Sequence, residues 1–268
     1  NEYPKFNIVG EEWSYNPIRI AYWQDGNNNK DGYKSNLKST MDFAMQKAIS
    51  EGIIEEENWN TGLIKIYENL ANDFYYSDPK SLLIFNDNHD MSRVYTQMKE
   101  DVSKTKMAIG LMLVLPRIPQ ILYGTEILME DSAKPGDHGL IRTDFPGGWE
   151  NDDTNAFSGE NMKNDQLEMQ NYMKTILNFR KNSKAIHYGQ TLHFAPIEGV
   201  YLISRKKDDE TVIYIVNKNK SSKELNLDRY NQLGVNNMIF TEVYTKEKYK
   251  WTNSITLKKN SSIILTNR

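Results

Sequence analysis

The sequence predicts an α/β fold with parallel strands, followed by a smaller antiparallel β domain. Three observations carry that prediction. Short apolar runs alternate with helix-like stretches through the first two thirds, which implies parallel strands joined by helical crossovers. The β-α units number about four, half of what closes a (β/α)8 barrel. From about His187 the texture changes to β-rich runs separated by polar turns, with no competing helical period.

FNIVG (6–10) is short and apolar on both faces, as a buried parallel strand should be. STMDFAM (39–45) is a weaker candidate strand. TGLIKIYENLANDFYY (61–76) sets Leu63, Ile66, Leu70 and Phe74 at helical spacing on one face. SLLIFN (81–86) is the next strand, and residues 103–115 form a nearly all-apolar helix stopped by Pro116 and Pro119. PQILYG (119–124) is the last apolar strand, and a helix over about 164–183 lines up Met169, Tyr172, Met173, Ile176 and Leu177. The β domain is expected to use 200–206, 211–217, 238–244, 254–259 and 261–267. The expected division is therefore 1–186 and 187–268.

Composition excludes several classes. Lys plus Arg (33) nearly balances Asp plus Glu (36), so no basic surface is available to displace counterions from nucleic acid. There is no run of 18 apolar residues, hence no expected membrane span. Zero cysteines rule out disulfides, thiol nucleophiles and thiolate metal sites. DGNNNKDGY (25–33) fails the EF-hand pattern, with Lys30 at its sixth position and Asn36 at its twelfth. It reads as a loop over the barrel mouth, and no metal-ligating set is assigned.

Three segments concentrate chemistry where strands end, the face on which barrel enzymes build their sites. FNIVGEEW (6–13) places Glu11 at the mouth with Trp13 two residues on, although a surface Glu pair after a strand has the same pattern. FNDNHDMSR (85–93) crowds Asp87, Asn88, His89 and Asp90 at a strand end. An Asx turn explains one or two of them, and a functional site or an ion-pair network the rest. LPRIPQILYGTEILM (115–129) puts Tyr123 and Glu126 after the last strand, where a buried strand with a Gly turn is the plainer account. Trp13, Trp23 and Trp149 are either stacking platforms for a ligand or half-buried packing. Arg142 either binds substrate hydroxyls or pairs with Asp144.

The run FNDNHD resembles the F-L-D-N-H-D motif of the α-amylase family of glycoside hydrolases, and GEEW its G-E-x-W motif. LPRIPQILYGTEILM is similar to that family's final-strand segment. DFPGGWENDDTNAF (144–157) resembles the following loop in the neopullulanase and cyclomaltodextrinase branch. Order and spacing agree with the second half of the family's TIM barrel, and the resemblance covers essentially the whole chain, with a C-terminal antiparallel β-sandwich where the family keeps one. It implies retaining hydrolysis of α-glucosidic bonds in starch-like oligosaccharides, with α-glucan transglycosylation as the alternative. By position, Glu11 matches the general acid/base, Asp90 the carboxylate that stabilises the transition state, and His89 a histidine bonding sugar hydroxyls. Trp13, Tyr123 and Arg142 are the further substrate-binding candidates. No redox or nucleotide cofactor is implied; calcium stays open without a specified site.

The family's nucleophile motif, G-F-R-x-D, is absent, and so is its D-x-x-x-N-H segment. Both are expected upstream of Asn1, so the chain by itself is expected to be catalytically incomplete. A silent carbohydrate-binding role is the rival from another class. Open sheet edges predict association with a missing half or with a second copy. A role for Glu11 as acid also predicts burial or nearby carboxylates around it. No signal segment is visible, and a periplasmic or extracellular location suits the family.

Overall fold

The computed structural model describes residues 2, 3 and 6–268. Its first part runs β1 (Val9–Gly10), α1 (Pro17–Tyr22), β2 (Ser39–Thr40), α2 (Phe43–Ile54), α3 (Ile64–Ala71), β3 (Leu83–Ile84), α4 (Val94–Gln97), α5 (Val102–Val114), β4 (Ile118–Pro119), α6 (His138–Ile141), α7 (Asn164–Asn182) and α8 (Lys184–Tyr188). β1 pairs parallel with β2, Met41 bridges in parallel to Leu83, and β3 pairs parallel with β4. The four strands thus stand side by side in chain order, with helices between them: half of a (β/α)8 barrel.

Four expectations need correction. FNIVG is a strand only at Val9–Gly10, and Phe6, Ile8 and Val9 are exposed rather than buried, because β1 is the outermost of the four strands and has no neighbour on its far side among the described residues. STMDFAM is not a strand throughout. Its extended part ends at Met41, and the Asp42 side chain then accepts from the Met45 N–H (3.0 Å), capping α2. α2 buries Phe43, Met45, Ile49 and Ile53, so its apolar run serves a helix inside the core rather than a strand. PQILYG pairs only at its start, through Pro119 and the Gln120 N–H to the Ile84 carbonyl (2.7 Å); Gly124 then takes φ +86°, which a side chain would disfavour, and a 3₁₀ turn follows. Phe74 leaves the buried stripe because the α-helix tightens to 3₁₀ at Asn72, which changes the angular step per residue, and its ring is exposed.

α5 and α7 form as expected. Asp101 caps α5 through the Lys104 N–H (3.0 Å), and Met169, Tyr172, Met173 and Ile176 are buried along α7. A buried cation ties the barrel helices to the strands. Arg117 Nε lies 2.9 Å from Asp42 Oδ2, and its Nη2 bonds Asp73. Arg180 of α7 donates to the Leu113 carbonyl (2.5 Å) and the Arg117 carbonyl (2.7 Å), fixing the chain's entry into β4.

The second part is β5 (Gln190–Ile197), β6 (Val200–Lys207), β7 (Glu210–Asn217), β8 (Lys223–Asn226), β9 (Ile239–Glu242), β10 (Lys248–Lys250), β11 (Ser254–Leu257) and β12 (Ser261–Thr266). Six strands form an antiparallel sheet ordered β10-β9-β12-β7-β6-β5, and β8 pairs with β11. Alternation sorts the central strands. Val200, Leu202, Ile213 and Ile215 meet Leu225, Trp251, Ile255 and Leu257 in the sandwich core. Tyr201, Ile203, Val212, Tyr214 and Val216 turn the other way, into the core they share with α5 and α7. There the Tyr214 hydroxyl donates to the Met107 carbonyl (2.8 Å). A Cβ on Gly110 would stand 2.6 Å from that hydroxyl oxygen, so glycine is what lets α5 lie this close to β7. β5, β8 and β10 were not among the expected strands, and α8 crosses the expected division at 186/187.

Candidate active site

The parallel strands bring Glu11, the 85–90 run and Tyr123 to one rim, because each follows the C-terminal end of its strand. The polar run after β3 separates into two jobs. Asp87 and Asn88 build the turn: Asp87 Oδ2 accepts from the Val94 N–H (2.7 Å), and Asn88 Oδ1 accepts from the Asp90 N–H (2.9 Å). Asp87 is fully enclosed, with Thr125 Oγ1 3.4 Å from its Oδ1. Burial pushes its carboxyl up to about 6, opposed by the Val94 amide, Arg93 and Thr125. Behind the turn, Gln46 and Gln97 both donate to the Asn86 carbonyl (3.0 and 3.1 Å).

His89 and Asp90 are left to face outward, with side chains 64% and 30% exposed. Asp90 sits between an imidazole and a guanidinium. His89 Nε2 is 3.2 Å from its Oδ2, and Arg142 Nη2 is 2.5 Å from its Oδ1. Arg142 also donates from Nε to the His89 carbonyl (2.9 Å) and lies 3.3 Å from His138 Nδ1. Of the two partners expected for Arg142, Asp144 is therefore wrong. Asp144 instead accepts from the Trp149 indole N–H (3.0 Å), because α6 turns Arg142 back towards the β3 loop.

Arg93 was missed by sequence reasoning and organises the rim. It is fully buried, donates from Nη1 to the Tyr123 carbonyl and from Nε and Nη2 to the Ile141 carbonyl (3.0 and 2.6 Å), while its backbone N–H goes to Asp131 (3.1 Å). Three loops are thereby stitched together. Tyr123 lies with its ring 4.9 Å from the Arg93 guanidinium and its hydroxyl on the Thr143 carbonyl (2.8 Å). A buried arginine answered by carbonyls leaves no signature in sequence, beyond a cation placed close after the acidic run.

Glu11 is exposed, so among the described residues the burial expected around a general acid is not supplied. Its neighbour Glu12 turns aside to Arg19 (2.7 Å). Glu11 makes no ion pair with the Asp90 group among the described residues. Trp13 is half packed: its ring stacks on Phe43 (4.7 Å), which meets Phe85 edge-on (4.9 Å), giving an aromatic file from β1 to β3. Trp23 packs edge-on to Tyr22 and Tyr33, whereas Trp149 is exposed. The 25–33 loop spends its polar groups on itself and on the chain around it. Asp31 accepts from the Tyr22 hydroxyl (2.9 Å) and the Tyr33 N–H (3.0 Å). No cluster of three potential metal ligands occurs among the described residues, and no helix among them is long and apolar enough to cross a membrane.

A half-barrel whose strand ends carry carboxylates, an imidazole and aromatic rings on one rim has its polar groups where barrel enzymes build their sites. Residues 1–186 match the family model of the alpha amylase catalytic domain, and residues 191–266 match that of the cyclo-malto-dextrinase C-terminal domain. The chain belongs to the α-amylase family of glycosidases. A cyclomaltodextrin glucanotransferase of Thermoanaerobacterium thermosulfurigenes is 25% identical over 245 residues, covering 89% of this chain and 30% of that protein. Alpha-amylase 3 of Dictyoglomus thermophilum is 26% identical over 281 residues, covering 98% and 51%. The solved α-amylase of Geobacillus thermoleovorans superposes with a TM-score of 0.75 at 20% identity, over 98% of this chain and 53% of that one, which supports the fold. The chain spans about half or less of these relatives.

Proposed function

We propose that this chain supplies part of the active site of a retaining glycosidase that cleaves α-glucosidic bonds in starch-like oligosaccharides such as maltodextrin, cyclodextrin or pullulan. Glu11 protonates the leaving glycosidic oxygen and then deprotonates the incoming water. Asp90 stabilises the transition state, with Arg142 and His89 orienting its two oxygens. His89, Trp13 and Tyr123 hold the sugar. The nucleophilic carboxylate comes from a complementary set of barrel strands, which also closes over Glu11 and gives it the low-dielectric setting an acid needs. The catalytic part is 1–186 and the sandwich 187–268, and the chemistry requires no cofactor.

The observation that carries this is the common rim: Glu11 after β1 and His89–Asp90 after the parallel β3. The complement docks on the open edges, where Phe6, Ile8, Val9 and Ile118 are exposed. Mixing the chain with strands one to four of a related barrel should yield maltodextrin hydrolysis that neither part has alone. Activity of the chain alone, abolished by Glu11→Gln, would overturn the incomplete-site reading. A second reading, transglycosylation, is favoured by the glucanotransferases among the relatives. Maltotriose converted mainly to longer oligosaccharides would select it.

A further inference from the structure

Trp59 stands apart from the rim and nothing in the catalytic proposal uses it. It is 93% exposed, the most exposed of the large apolar side chains described. Its loop is nevertheless firmly built. The Trp59 N–H bonds Asn58 Oδ1 (2.8 Å), the Asn58 N–H bonds the Thr61 carbonyl (3.2 Å), and Thr61 Oγ1 bonds the Glu56 carbonyl (2.8 Å). Glu57 ties the loop to the sandwich, accepting from the Leu63 N–H (3.1 Å) and pairing with Lys218 (2.7 Å). A braced loop that holds an indole in water has stored little flexibility with which to hide it.

Beside the indole is a concavity of about 460 Å³ at the seam of α3 and β5, lined by Asn58, Ile64, Glu68, Pro196 and Glu198 as well as Trp59. Both walls are fixed, because the Tyr67 ring of α3 packs 4.8 Å from the His193 ring of β5. Glu198 is neutralised by Lys223 (2.5 Å), whereas Glu68 has no ion pair or hydrogen bond among the described residues. The surface thus offers an apolar platform with a carboxylate and an amide at its margin. Carboxylates disfavour anionic ligands, and the open shape suits a flat, hydroxyl-rich ligand whose C–H face stacks on indole while its hydroxyls donate to carboxylate oxygens.

α2 starts at the catalytic rim, directly after β2, and runs 12 residues before this loop begins. At 1.5 Å per residue that is roughly 18 Å, so the platform lies at the far end of the helix from the rim. We propose that Trp59 and Glu68 form a second glucan-binding site, remote from the catalytic face, that holds α-glucan chains against the seam between half-barrel and sandwich. The ligand class rests on the glucosidase reading above.

The test is calorimetric titration of the whole chain with maltoheptaose. Trp59→Ala is expected to weaken binding at least tenfold and Glu68→Gln severalfold, with Trp59→Phe recovering most of it and Trp13→Ala leaving this site intact. An unchanged thermal midpoint for Trp59→Ala, expected for so exposed a residue, shows that the fold is preserved. Unaltered affinity in Trp59→Ala overturns the site, as does loss of all binding in Trp13→Ala alone. Absence of binding by the unmutated chain also overturns it, and maltodextrin hydrolysis by the reassembled enzyme then judges the glucosidase reading separately. Trp59-dependent self-association on sedimentation, without a maltoheptaose effect, would assign the surface to a second copy and overturn the glucan site.

Discussion

Arg142 and Asp90 form a 2.5 Å ion pair across the loops that follow β3 and β4, and the same guanidinium donates to the carbonyl of His89, the residue next to Asp90. One side chain thus fixes both the carboxylate and the backbone that carries it.

Removing that grip should misplace Asp90 without unfolding the rim, since Arg142 is itself exposed. In the reassembled enzyme, Arg142→Ala is expected to lower kcat on the order of 10- to 100-fold, as small displacements of a catalytic group do. Arg142→Lys restores the charge but not the bidentate reach and should recover only part of the loss. Steady-state rates on maltoheptaose decide this; an unchanged kcat with a raised KM would make Arg142 a simple substrate contact.

Asp87 makes stability depend on pH. Its folded value, raised by burial to about 6 from 3.8, means the native state keeps a proton that the unfolded chain has already released. The contribution is full below about pH 4 and is lost as pH rises through about 6, amounting to roughly 3 kcal/mol at most. Urea denaturation at several pH values between 4 and 8 should therefore show falling stability with rising pH from this group. Asp87→Asn, which can still accept from the Val94 amide, should flatten that segment of the profile.

The α5–β7 contact leaves no room for a methyl group. Gly110→Ala must push Tyr214 off Met107 and is expected to cost about 1–3 kcal/mol. Combining it with Tyr214→Phe, which removes the hydroxyl a Cβ would meet, should recover part of that loss. Chemical denaturation of the four variants in a cycle measures the coupling.

Arg117 is buried between Asp42 and Asp73, so losing one acid strands its charge. Asp42→Ala also removes the cap of α2, and is expected to destabilise the chain by about 3–5 kcal/mol. Thermal unfolding of the variant checks it; a change under 1 kcal/mol would mean that solvent reaches the guanidinium.

Much of the fold was legible because its signals are periodic or abrupt. The apolar strand before Asp87, the prolines after α5, and the alternation of β6 and β7 all read directly from the chain, whereas FNIVG pairs only at Val9–Gly10 and leaves Phe6, Ile8 and Val9 exposed. STMDFAM misled because apolar density cannot separate a strand from a buried helix when a capping Asp sits in the middle of the run. β8 and β10 are short and polar on one side, and β5 alternates too weakly to stand out, so pairing rather than composition makes them strands. At the rim, the positions of His89 and Asp90 could be anticipated, but the division of labour within the run could not. Asp87 looks like Asp90 in sequence and differs only in what encloses it. The carbonyl partners of Arg93 and the turn of α6 that delivers Arg142 to Asp90 are tertiary facts, with no local trace.

The central claim is that Glu11 acts as the acid/base of a glucosidase site completed by a complementary half-barrel. Its most direct test compares Glu11→Gln on maltoheptaose and on an aryl α-maltoside whose leaving group needs no proton, in the reassembled enzyme. Turnover of maltoheptaose should fall on the order of 10²- to 10⁴-fold while formation of the glycosyl intermediate from the aryl substrate is largely spared, and Glu12→Gln should behave as wild type. Full activity in Glu11→Gln, or a loss that follows Glu12 instead, would contradict it.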